Sequence, residues 1–384
     1  MNHDSKNEFS DDDKKAINFD LLSAKRGNAN AQKKLGIRYA NGHGVTKDLE
    51  EAVRWFRLGA DQGHAESQNS LGGMYYKGEG VSKDYKEAFN YFSLAAEQGL
   101  SDAQFILGVL NENGEGVPAD SKSAMKWYQK AAENGHAKAQ FILGMVYANA
   151  EGVLEDVKEA STWYRRAADQ GHSEAQLNLG AMYANGAGLP QNDKEAEKWY
   201  RLAAEQNNAE AQFNLGLLYE NGIGVSQDSD QASKWYRLAA EQGLANAQLN
   251  LGTWFSNKAN DEAAVKWFSL AAEQGLAIAQ FNLGLKYDNG EGVTTDIAEA
   301  TKWYHRAAKQ GLAIAQYNLG LSFIEGTGVS QDIIMGCAWV KLAEDNGFDV
   351  AKTKSFLEKN LSREDKLKAQ ELCNEMKVSN PDIC

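Results

Sequence analysis

A glycine-rich loop recurs along the chain and is the first feature whose residue types could do chemistry. It reads Gly-x-Gly-Val in most copies, for example from Gly42 to Val45 and from Gly78 to Val81. Paired glycines can turn backbone N–H groups toward a phosphate, as they do in nucleotide-binding loops. Those loops follow a β-strand, whereas no strand pattern precedes any copy here. We therefore predict that the loops are turns between helices, and we expect no cofactor.

Histidine, cysteine and serine side chains are present, but their spacing indicates neither a metal site nor a nucleophile. His64, His136 and His172 occupy one recurring turn position, where leucine stands in other copies. No histidine pair has metal-ligand spacing with a carboxylate or a thiol, and no serine lies in a nucleophile-elbow context. The cysteines lie near the C-terminal end without a regular pattern, which favours a reducing compartment over a disulfide framework. We therefore expect a protein that is not an enzyme and binds no metal.

The charge balance and the apolar runs argue against two classes of partner. The chain of 384 residues carries 53 acidic and 40 basic residues, a formal net charge of −13, and no basic stripe. Nucleic-acid binders need such a stripe, so we expect no nucleic-acid partner. No run of about 18 apolar residues could span a membrane, and the N-terminal stretch lacks the apolar core of a signal peptide. These features predict a cytoplasmic protein.

All of these features belong to one repeated unit. Its clearest copy is Ala209 to Leu244, 36 residues long, and the chain contains nine copies. They begin near Ala29, Ala65, Ser101, Ala137, Ser173, Ala209, Ala245, Ala277 and Ala313. Only the seventh is shorter, at 32 residues. Such repeats stack into one elongated body with a continuous core, so we expect a solenoid rather than several globular domains.

The first half of each unit predicts an amphipathic helix, helix A. It covers Ala29 to Asn41 in the first copy, and helical spacing places Leu35 and Tyr39 on one face. A glycine recurs at the position of Gly36. Because glycine costs about 1 kcal/mol of helix propensity relative to alanine, we predict a close crossing of two helices there. A glutamine also recurs in every copy: Gln32, Gln68, Gln104, Gln140, Gln176, Gln212, Gln248, Gln280 and Gln316.

The second half predicts helix B. It begins at an aspartate such as Asp48, and in several copies an acidic residue or glutamine follows three places later, as Glu51 does. That spacing is typical of a capping box. A tryptophan recurs at the position of Trp55, where we expect it to pack in the core. Gln-Gly closes the unit, and the glycine is a C-cap.

The repeats leave a segment at each end of the chain. We predict a disordered acidic tail over residues 1–13, a capping helix over 14–28, nine repeats over 29–348, and C-terminal capping helices with a tail over 349–384. The last six residues, SNPDIC, are expected to be frayed. Solenoid ends need caps because a terminal unit would otherwise expose the face on which the next repeat stacks.

The pattern AxAQxxLGxxYxxGxGVxxDxxxAxxWxxxAAxQG closely resembles the Sel-1-like repeat family, a relative of the tetratricopeptide repeats. The resemblance covers about residues 16–348. It implies an all-α fold: a right-handed α/α superhelical solenoid of nine two-helix repeats with N- and C-terminal capping helices and with helix A on the concave side. It also implies a scaffold or adaptor whose partner is a protein or an extended peptide.

The same resemblance leaves two other functions open. One is a bacterial immunity protein or a host-directed effector, which a signal-independent secretion system could deliver. The other is a penicillin-binding or β-lactamase-like enzyme, because some cysteine-rich relatives are described as binding penicillin. Those relatives carry paired cysteines in each repeat and this chain does not, so the enzyme is the least favoured of the three.

A ligand should meet the helix A face that neither packs nor turns. Positions equivalent to 30, 34, 37, 38 and 41 lie opposite the apolar face, and we predict that they line a groove. Position 34 is asparagine in repeats five to nine: Asn178, Asn214, Asn250, Asn282 and Asn318. An amide both donates and accepts, so this column could hold a peptide backbone. The alternative is that these asparagines only face water.

Two departures from the repeat mark further candidates for the groove. Repeats three and four are apolar there, with Ile106, Leu110, Ile142, Met145 and Val146, which either meet a partner or pack against neighbouring helices.

The shortened seventh repeat carries Trp254, a tryptophan outside the helix B column and at the position of residue 38. It is either an interface anchor or a filler for the gap that the shorter loop leaves.

Overall fold

A computed structural model describes residues 11–149 and 156–383, and every long regular element within them is an α-helix. The chain divides into two compact units, Met1–Gln191 and Asn192–Cys384. The first unit contains α1 (Asp11–Lys25), α2 (Ala29–Asn41), α3 (Leu49–Asp61), α4 (Ala65–Lys77), α5 (Tyr85–Glu97), α6 (Ser101–Asn113), α7 (Ser121–Glu133), α8 (Ala137–Ala148), α9 (Val157–Asp169) and α10 (Ser173–Asn185).

The second unit continues the same alternation and ends with extra helices. It contains α11 (Asp193–Glu205), α12 (Ala209–Asn221), α13 (Ser229–Glu241), α14 (Ala245–Asn257), α15 (Asp261–Glu273), α16 (Ala277–Asn289), α17 (Ile297–Ala308), α18 (Ala313–Glu325), α19 (Ile333–Asp345), α20 (Ala351–Asn360), α21 (Arg363–Ser379) and a 3₁₀ turn at Pro381–Ile383. Within each unit, consecutive repeat helices pack against each other. The predicted all-α solenoid of helix pairs is confirmed, with helix A at even numbers from α2 to α18 and helix B at odd numbers from α3 to α19.

The recurring glycine of helix A lies where an aromatic ring of helix B crosses it. A methyl group at Gly108 would lie 2.3 Å from Cε1 of Tyr128, and one at Gly216 would lie 2.5 Å from Cε1 of Tyr236. The preceding leucine is buried in every repeat, as Leu107 and Leu215 are. The predicted close crossing is confirmed; its cause is the ring in these repeats, whereas in repeat nine Gly320 lies against Val340 and the carbonyl of Gly336.

Helix ends use the caps that the sequence predicts. The backbone N–H of Glu51 donates to Oδ1 of Asp48 at 2.9 Å, which caps α3. Gly42 adopts the left-handed conformation, with φ of 73°, and its N–H donates to the carbonyl of Arg38 at the end of α2. Only glycine adopts this conformation without steric cost. The loops therefore serve as turns between helices, as predicted.

The invariant glutamines form a buried ladder between repeats. Nε2 of Gln212 donates to the carbonyl of Ala204 at 3.1 Å, and Oε1 of Gln212 accepts from Nε2 of Gln242 at 2.8 Å. All nine glutamines are buried, between 0% and 5% exposed. Each one thus ties its own repeat to the end of the preceding helix B. The sequence showed the recurrence but not these bonds.

The ends of the chain differ from the prediction. Helix α1 begins at Asp11, within the segment predicted to be a tail, and residues 1–10 lie outside the described part. The expectation of a frayed C-terminus is wrong for residues 379–383. Ile383 is 3% exposed, and its carbonyl accepts from Gln316 and Asn346. The Ile383 carbonyl is a further acceptor for these amides, which also donate to Ala308 and Gln316 as their equivalents do in other repeats; residue 384 lies outside the described part.

Candidate protein-binding surface

One side of helix A is left free along each unit. Positions equivalent to 30, 34, 37 and 41 are exposed or half-buried in nearly all repeats, whereas position 35 is buried in all of them. Four half-buried asparagines at position 34 form what we call the asparagine row of the second unit: Asn214, Asn250, Asn282 and Asn318. Asn178 has the same place and exposure in the first unit. These five residues are therefore partly accessible, and their contact with a partner stays a prediction.

Tyrosines of helix B lie beside part of the asparagine row. The Tyr236 hydroxyl donates to the Glu220 carboxylate, and the neighbouring Asn250 amide lowers the pKa of the same hydroxyl. Tyr304 repeats the arrangement with Asp288, at 3.0 Å, and Asn318. Burial is the main cause that raises the pKa of both tyrosines, and the neighbouring carboxylates raise it further. Both hydroxyls therefore stay protonated, and each lies between a carboxylate that it bonds and an asparagine amide.

The face that carries the asparagine row has acidic residues but no exposed cation. Helices α12, α14, α16 and α18 contain four acidic residues, Glu210, Glu220, Asp288 and Glu325. Their one basic residue is Lys286, which is only 6% exposed and bonded to carboxylates. This surface therefore offers amides and negative charge to whatever meets it.

Position 38 does not face the groove, and that prediction is wrong. Its residues are mostly buried: Met74, Leu110, Val146, Met182, Leu218, Lys286 and Ser322 are all at most 8% exposed. Leu110, for instance, packs with Ala88 and Phe92 of the preceding helix B. Helix A lies between two helices B, so it has a wider buried face than one amphipathic stripe suggests.

The apolar candidates of repeats three and four divide into a buried group and a half-buried group. Leu110 and Val146 are 0% and 5% exposed, so they add nothing to an accessible surface. Ile106, Ile142 and Met145 occupy positions 34 and 37 and are half-buried. A contact between these three residues and a partner stays a prediction.

Trp254 also lies at position 38 and therefore outside the asparagine row. Its ring meets Phe255 edge-on, with centroids 5.0 Å apart, and Nζ of Lys258 is 5.5 Å from the Trp254 ring centroid. The indole Nε1 is buried and has no hydrogen-bond partner among the described residues. Trp254 borders a cavity of about 450 Å³ together with Asp230 and Ser233 of α13.

Titratable groups outside this surface have structural surroundings. A cavity of about 290 Å³ lies among α19, α20 and α21, lined by Cys337, Val340 and Leu357. Burial raises the pKa of the Cys337 thiol to about 11, so the thiol is protonated at neutral pH. In residues 11–149 and 156–383, no three His, Cys, Asp or Glu side chains are grouped as metal ligands would be. No helix of that same part is long and apolar enough to cross a membrane.

The repeat units match one family model, that of the Sel1 repeat, nine times in succession. The matched stretches are residues 29–64, 65–100, 101–136, 137–172, 173–208, 209–244, 245–276, 277–312 and 313–348. The chain belongs to the Sel1 repeat family. Sel1 repeats typically form protein-interaction scaffolds that are generally non-catalytic.

Two solved Sel1 structures are similar to this chain. The protective antigen c5321, present in uropathogenic Escherichia coli strains, is 34% identical, with 98% of this chain and 90% of that chain covered and a TM-score of 0.65. A Sel1 repeat protein from Oxalobacter formigenes is 36% identical, with 60% of this chain and 95% of that chain covered and a TM-score of 0.54. Among proteins with curated descriptions, none matched.

Three histidines of the Sel1 units, His64, His136 and His172, cap helices. Nδ1 of His136 accepts from the backbone N–H of Ala139 at 3.2 Å, at the start of α8. His172 caps α10 in the same way, through the N–H of Ala175. Where leucine takes this position, as Leu244 does, the helix has no side-chain cap. Such a cap contributes about 1 kcal/mol.

Acidification should weaken the caps of the Sel1 units. Burial is the main cause that lowers the pKa of His136; Asp102 raises it, and Lys138 and His172 lower it. The unfolded chain therefore takes up the proton first, so stability is full above about pH 6.5 and falls as the pH drops toward the folded-state pKa. His136→Leu should lower the free energy of unfolding by about 1 kcal/mol at pH 8. Between pH 7 and pH 5 the variant should lose less stability than the unaltered protein does, because it lacks this titrating group. Urea denaturation midpoints of both proteins at these pH values check the prediction. If the midpoint changed with pH equally in both proteins, the prediction would be contradicted.

Lys286 is an ion-pairing exception among the apolar residues of position 38. Its ammonium donates to Asp261 at 2.6 Å and to Glu291 at 2.7 Å, which joins repeats seven and eight. Burial alone would lower the pKa of Lys286, but these two carboxylates outweigh it and raise the pKa above its ordinary value. The side chain therefore stays charged.

We expect an apolar side chain of similar volume to replace Lys286 with little loss of stability, whereas truncation of the side chain should destabilise the protein. We expect Lys286→Ala to lower the free energy of unfolding by about 2 kcal/mol, below the usual cost of breaking a buried pair because both carboxylates are partly exposed. Lys286→Met should change it by less than about 1 kcal/mol, since methionine fills this position at Met74 and Met182. Urea denaturation followed by circular dichroism compares them. Equal decreases in the free energy of unfolding of the two variants would mean that the ion pairs of Lys286, and not the packing of its side chain, stabilise the protein.

Proposed function

We propose that this protein is a non-catalytic adaptor and that the asparagine row holds an extended segment of a partner protein. The observation that carries the proposal is the repetition of one half-buried amide on α12, α14, α16 and α18, two of them next to a tyrosine of helix B. A half-buried amide has less conformational freedom to lose on binding than a fully exposed one. A regular series of donors and acceptors matches the regular donors and acceptors of a peptide backbone.

The charge of the same face favours a segment that contains lysine or arginine. Glu220 and Asp288 lie beside Asn250 and Asn318 near the same tyrosines, and the one basic residue of α12, α14, α16 and α18, Lys286, is buried and paired. A basic segment would therefore meet carboxylates next to the amides that bond its backbone. An acidic segment would meet like charge, which costs affinity and slows association.

Exposed leucines of helix B are the competing surface. Leu202, Leu238 and Leu270 recur at one helix B position and are 37%, 43% and 38% exposed. The sequence did not single them out, because only the tryptophan column of helix B was assigned to the core and these leucines were left unassigned. They make a matched comparison, since a partner that docked through helix B would need them.

Paired alanine variants separate the two surfaces. One variant carries Asn214→Ala, Asn250→Ala and Asn282→Ala, and the other carries Leu202→Ala, Leu238→Ala and Leu270→Ala. A partner captured from the native cell and identified by mass spectrometry is titrated calorimetrically against both variants and the unaltered protein. We expect the first variant to lose at least about tenfold in affinity and the second to keep it. The opposite result would place binding on helix B.

A second candidate follows from the antigen relative. The c5321 protein is described as a protective antigen and is 34% identical over 98% of this chain. If this chain shares that property, the protein reaches the cell surface or the medium of its native bacterium. Immunoblots of culture supernatant, surface-accessible protein and cytosol, with a cytosolic marker as lysis control, test it. Confinement to the cytosol would remove this candidate and leave the adaptor.

A further inference from the structure

The cavity beside Trp254 exists because repeat seven lacks a loop. In repeats two, three, five, six, eight and nine, the Gly-x-Gly loop lies on the first turn of helix B of the preceding repeat. A methyl group at Gly224 would be 2.4 Å from the carbonyl oxygen of Asp193, the first residue of α11. The same close approach joins Gly80 to Leu49, Gly116 to Tyr85, Gly188 to Val157, Gly292 to Asp261 and Gly328 to Ile297. The loop is thus part of the interface between repeats.

Repeat seven leaves the equivalent turn of α13 uncovered. Its helix A runs through Asn257 and reaches the next helix B by Lys258, Ala259 and Asn260 alone. Ser229, the first residue of α13, is exposed, whereas the six residues at that position under a loop are half-buried. The missing segment therefore accounts for the opening, which we call the notch: Asp230, Ser233, Lys234, Trp254, Phe255, Lys258 and Asn260.

The notch has an aromatic wall and a partly charged rim. Trp254 and Phe255 form the wall, in contact edge to face. Lys258 pairs with Asp230 at 3.4 Å, and both side chains are more than half exposed, so this pair is weak. Lys234 adds a second cation, which leaves the rim with more positive than negative charge.

We propose that the notch is a docking site for a tight turn of a partner protein with the sequence Gly-acidic-Gly-Val, which takes the place of the missing loop. The chain itself is the template, since its own loops occupy the corresponding site of the repeat interface. The second glycine must lie against a backbone carbonyl, where no side chain fits. The aliphatic residue would pack on the aromatic wall, as Val81 packs in one cluster with Met74 and Tyr75, the residues equivalent to Trp254 and Phe255. The acidic residue complements the lysines, as Glu291 does with Lys286.

This site is independent of the asparagine row, and its test does not need the native partner. The probe is a cyclic peptide with the sequence of residues 289–296, Asn-Gly-Glu-Gly-Val-Thr-Thr-Asp, taken from the loop of repeat eight. The protein is the full chain labelled with 5-fluorotryptophan, and Trp254→Phe identifies the ¹⁹F signal of Trp254. The other eight tryptophans serve as internal controls.

We expect the peptide to shift the Trp254 signal alone, with saturation at a concentration on the order of 1 mM. A peptide with alanine at the second glycine should bind at least about tenfold more weakly, because its methyl group would meet the carbonyl of Ser229. Replacing the glutamate of the peptide by glutamine should weaken binding and reduce its dependence on salt.

A variant that restores the loop is the matched control. Replacing Lys258–Asn260 with the seven residues found at 290–296 returns repeat seven to the common length and should abolish the shift. No shift at about 10 mM peptide, an equal shift with the alanine peptide, or an equal shift in the loop-restored variant would each overturn the proposal. A Trp254 shift that depends on protein concentration alone would show that a second copy fills the notch, which also overturns it.

Discussion

Gly108→Ala is expected to lower the free energy of unfolding by about 3 kcal/mol. The added methyl group would lie 2.3 Å from Cε1 and 2.5 Å from Cδ1 of Tyr128, far inside van der Waals contact. Tyr128 cannot swing away cheaply, because it is only 5% exposed and its hydroxyl donates to Glu112 at 2.6 Å. The gain in helix propensity, about 1 kcal/mol, offsets only part of this strain. Urea denaturation followed by circular dichroism measures the loss.

Gly73 supplies a control in the same unit. It is also a helix A glycine, but a methyl group there would meet no neighbouring atom within 4 Å. Gly73→Ala should therefore raise the free energy of unfolding by about 1 kcal/mol, through helix propensity alone. Opposite signs for the two substitutions would show that the ring contact, not helix propensity, makes glycine necessary at position 36 and its equivalents. A loss in both would contradict the argument.

Nine copies of one unit made much of this fold predictable from the sequence. A residue that recurs at every copy must meet a demand of the unit, so the cap at Asp48 and the close crossing at Gly36 followed from pattern and elementary geometry. The asparagine row was found in the same way, because position 34 lies opposite the buried leucine. Its exposure agrees with that reasoning.

The errors have a common physical origin. Position 38 was assigned to the groove because a single helix was divided into one buried and one free half. In a stack, helix A touches a second helix B, and Leu110 and Val146 are buried against it. Likewise, the docking of Ile383 depends on amides of Gln316 and Asn346 that no local pattern pairs with a C-terminal carbonyl. Contacts between units of a repeat are non-local, and periodicity within one unit does not report them.

Gln212→Leu is the second substitution with a large expected effect, a loss of about 3 kcal/mol of unfolding free energy. Leucine keeps much of the volume but removes all three side-chain hydrogen bonds of a residue that is 2% exposed, to Ala204, Asn207 and Gln242. The Ala204 carbonyl then loses the amide donor at 3.1 Å, and the Gln242 amide loses its acceptor at 2.8 Å. A hydrogen bond contributes about 0.5–1.5 kcal/mol net, so three lost bonds amount to about 3 kcal/mol. Urea midpoints and the slopes of the transitions measure the effect.

A substitution of Gln242 tests whether the stability of the ladder depends mainly on its buried glutamine, Gln212. Its side chain lies at the exposed end of α13, and the Gln242→Ala variant leaves only the Oε1 of Gln212 without this donor. Water can reach that end, so we expect a loss below about 1 kcal/mol. The two substitutions together should cost about as much as Gln212→Leu alone, because they break the same bond. Strict additivity would show instead that the glutamines act separately and that the ladder does not couple one repeat to the next.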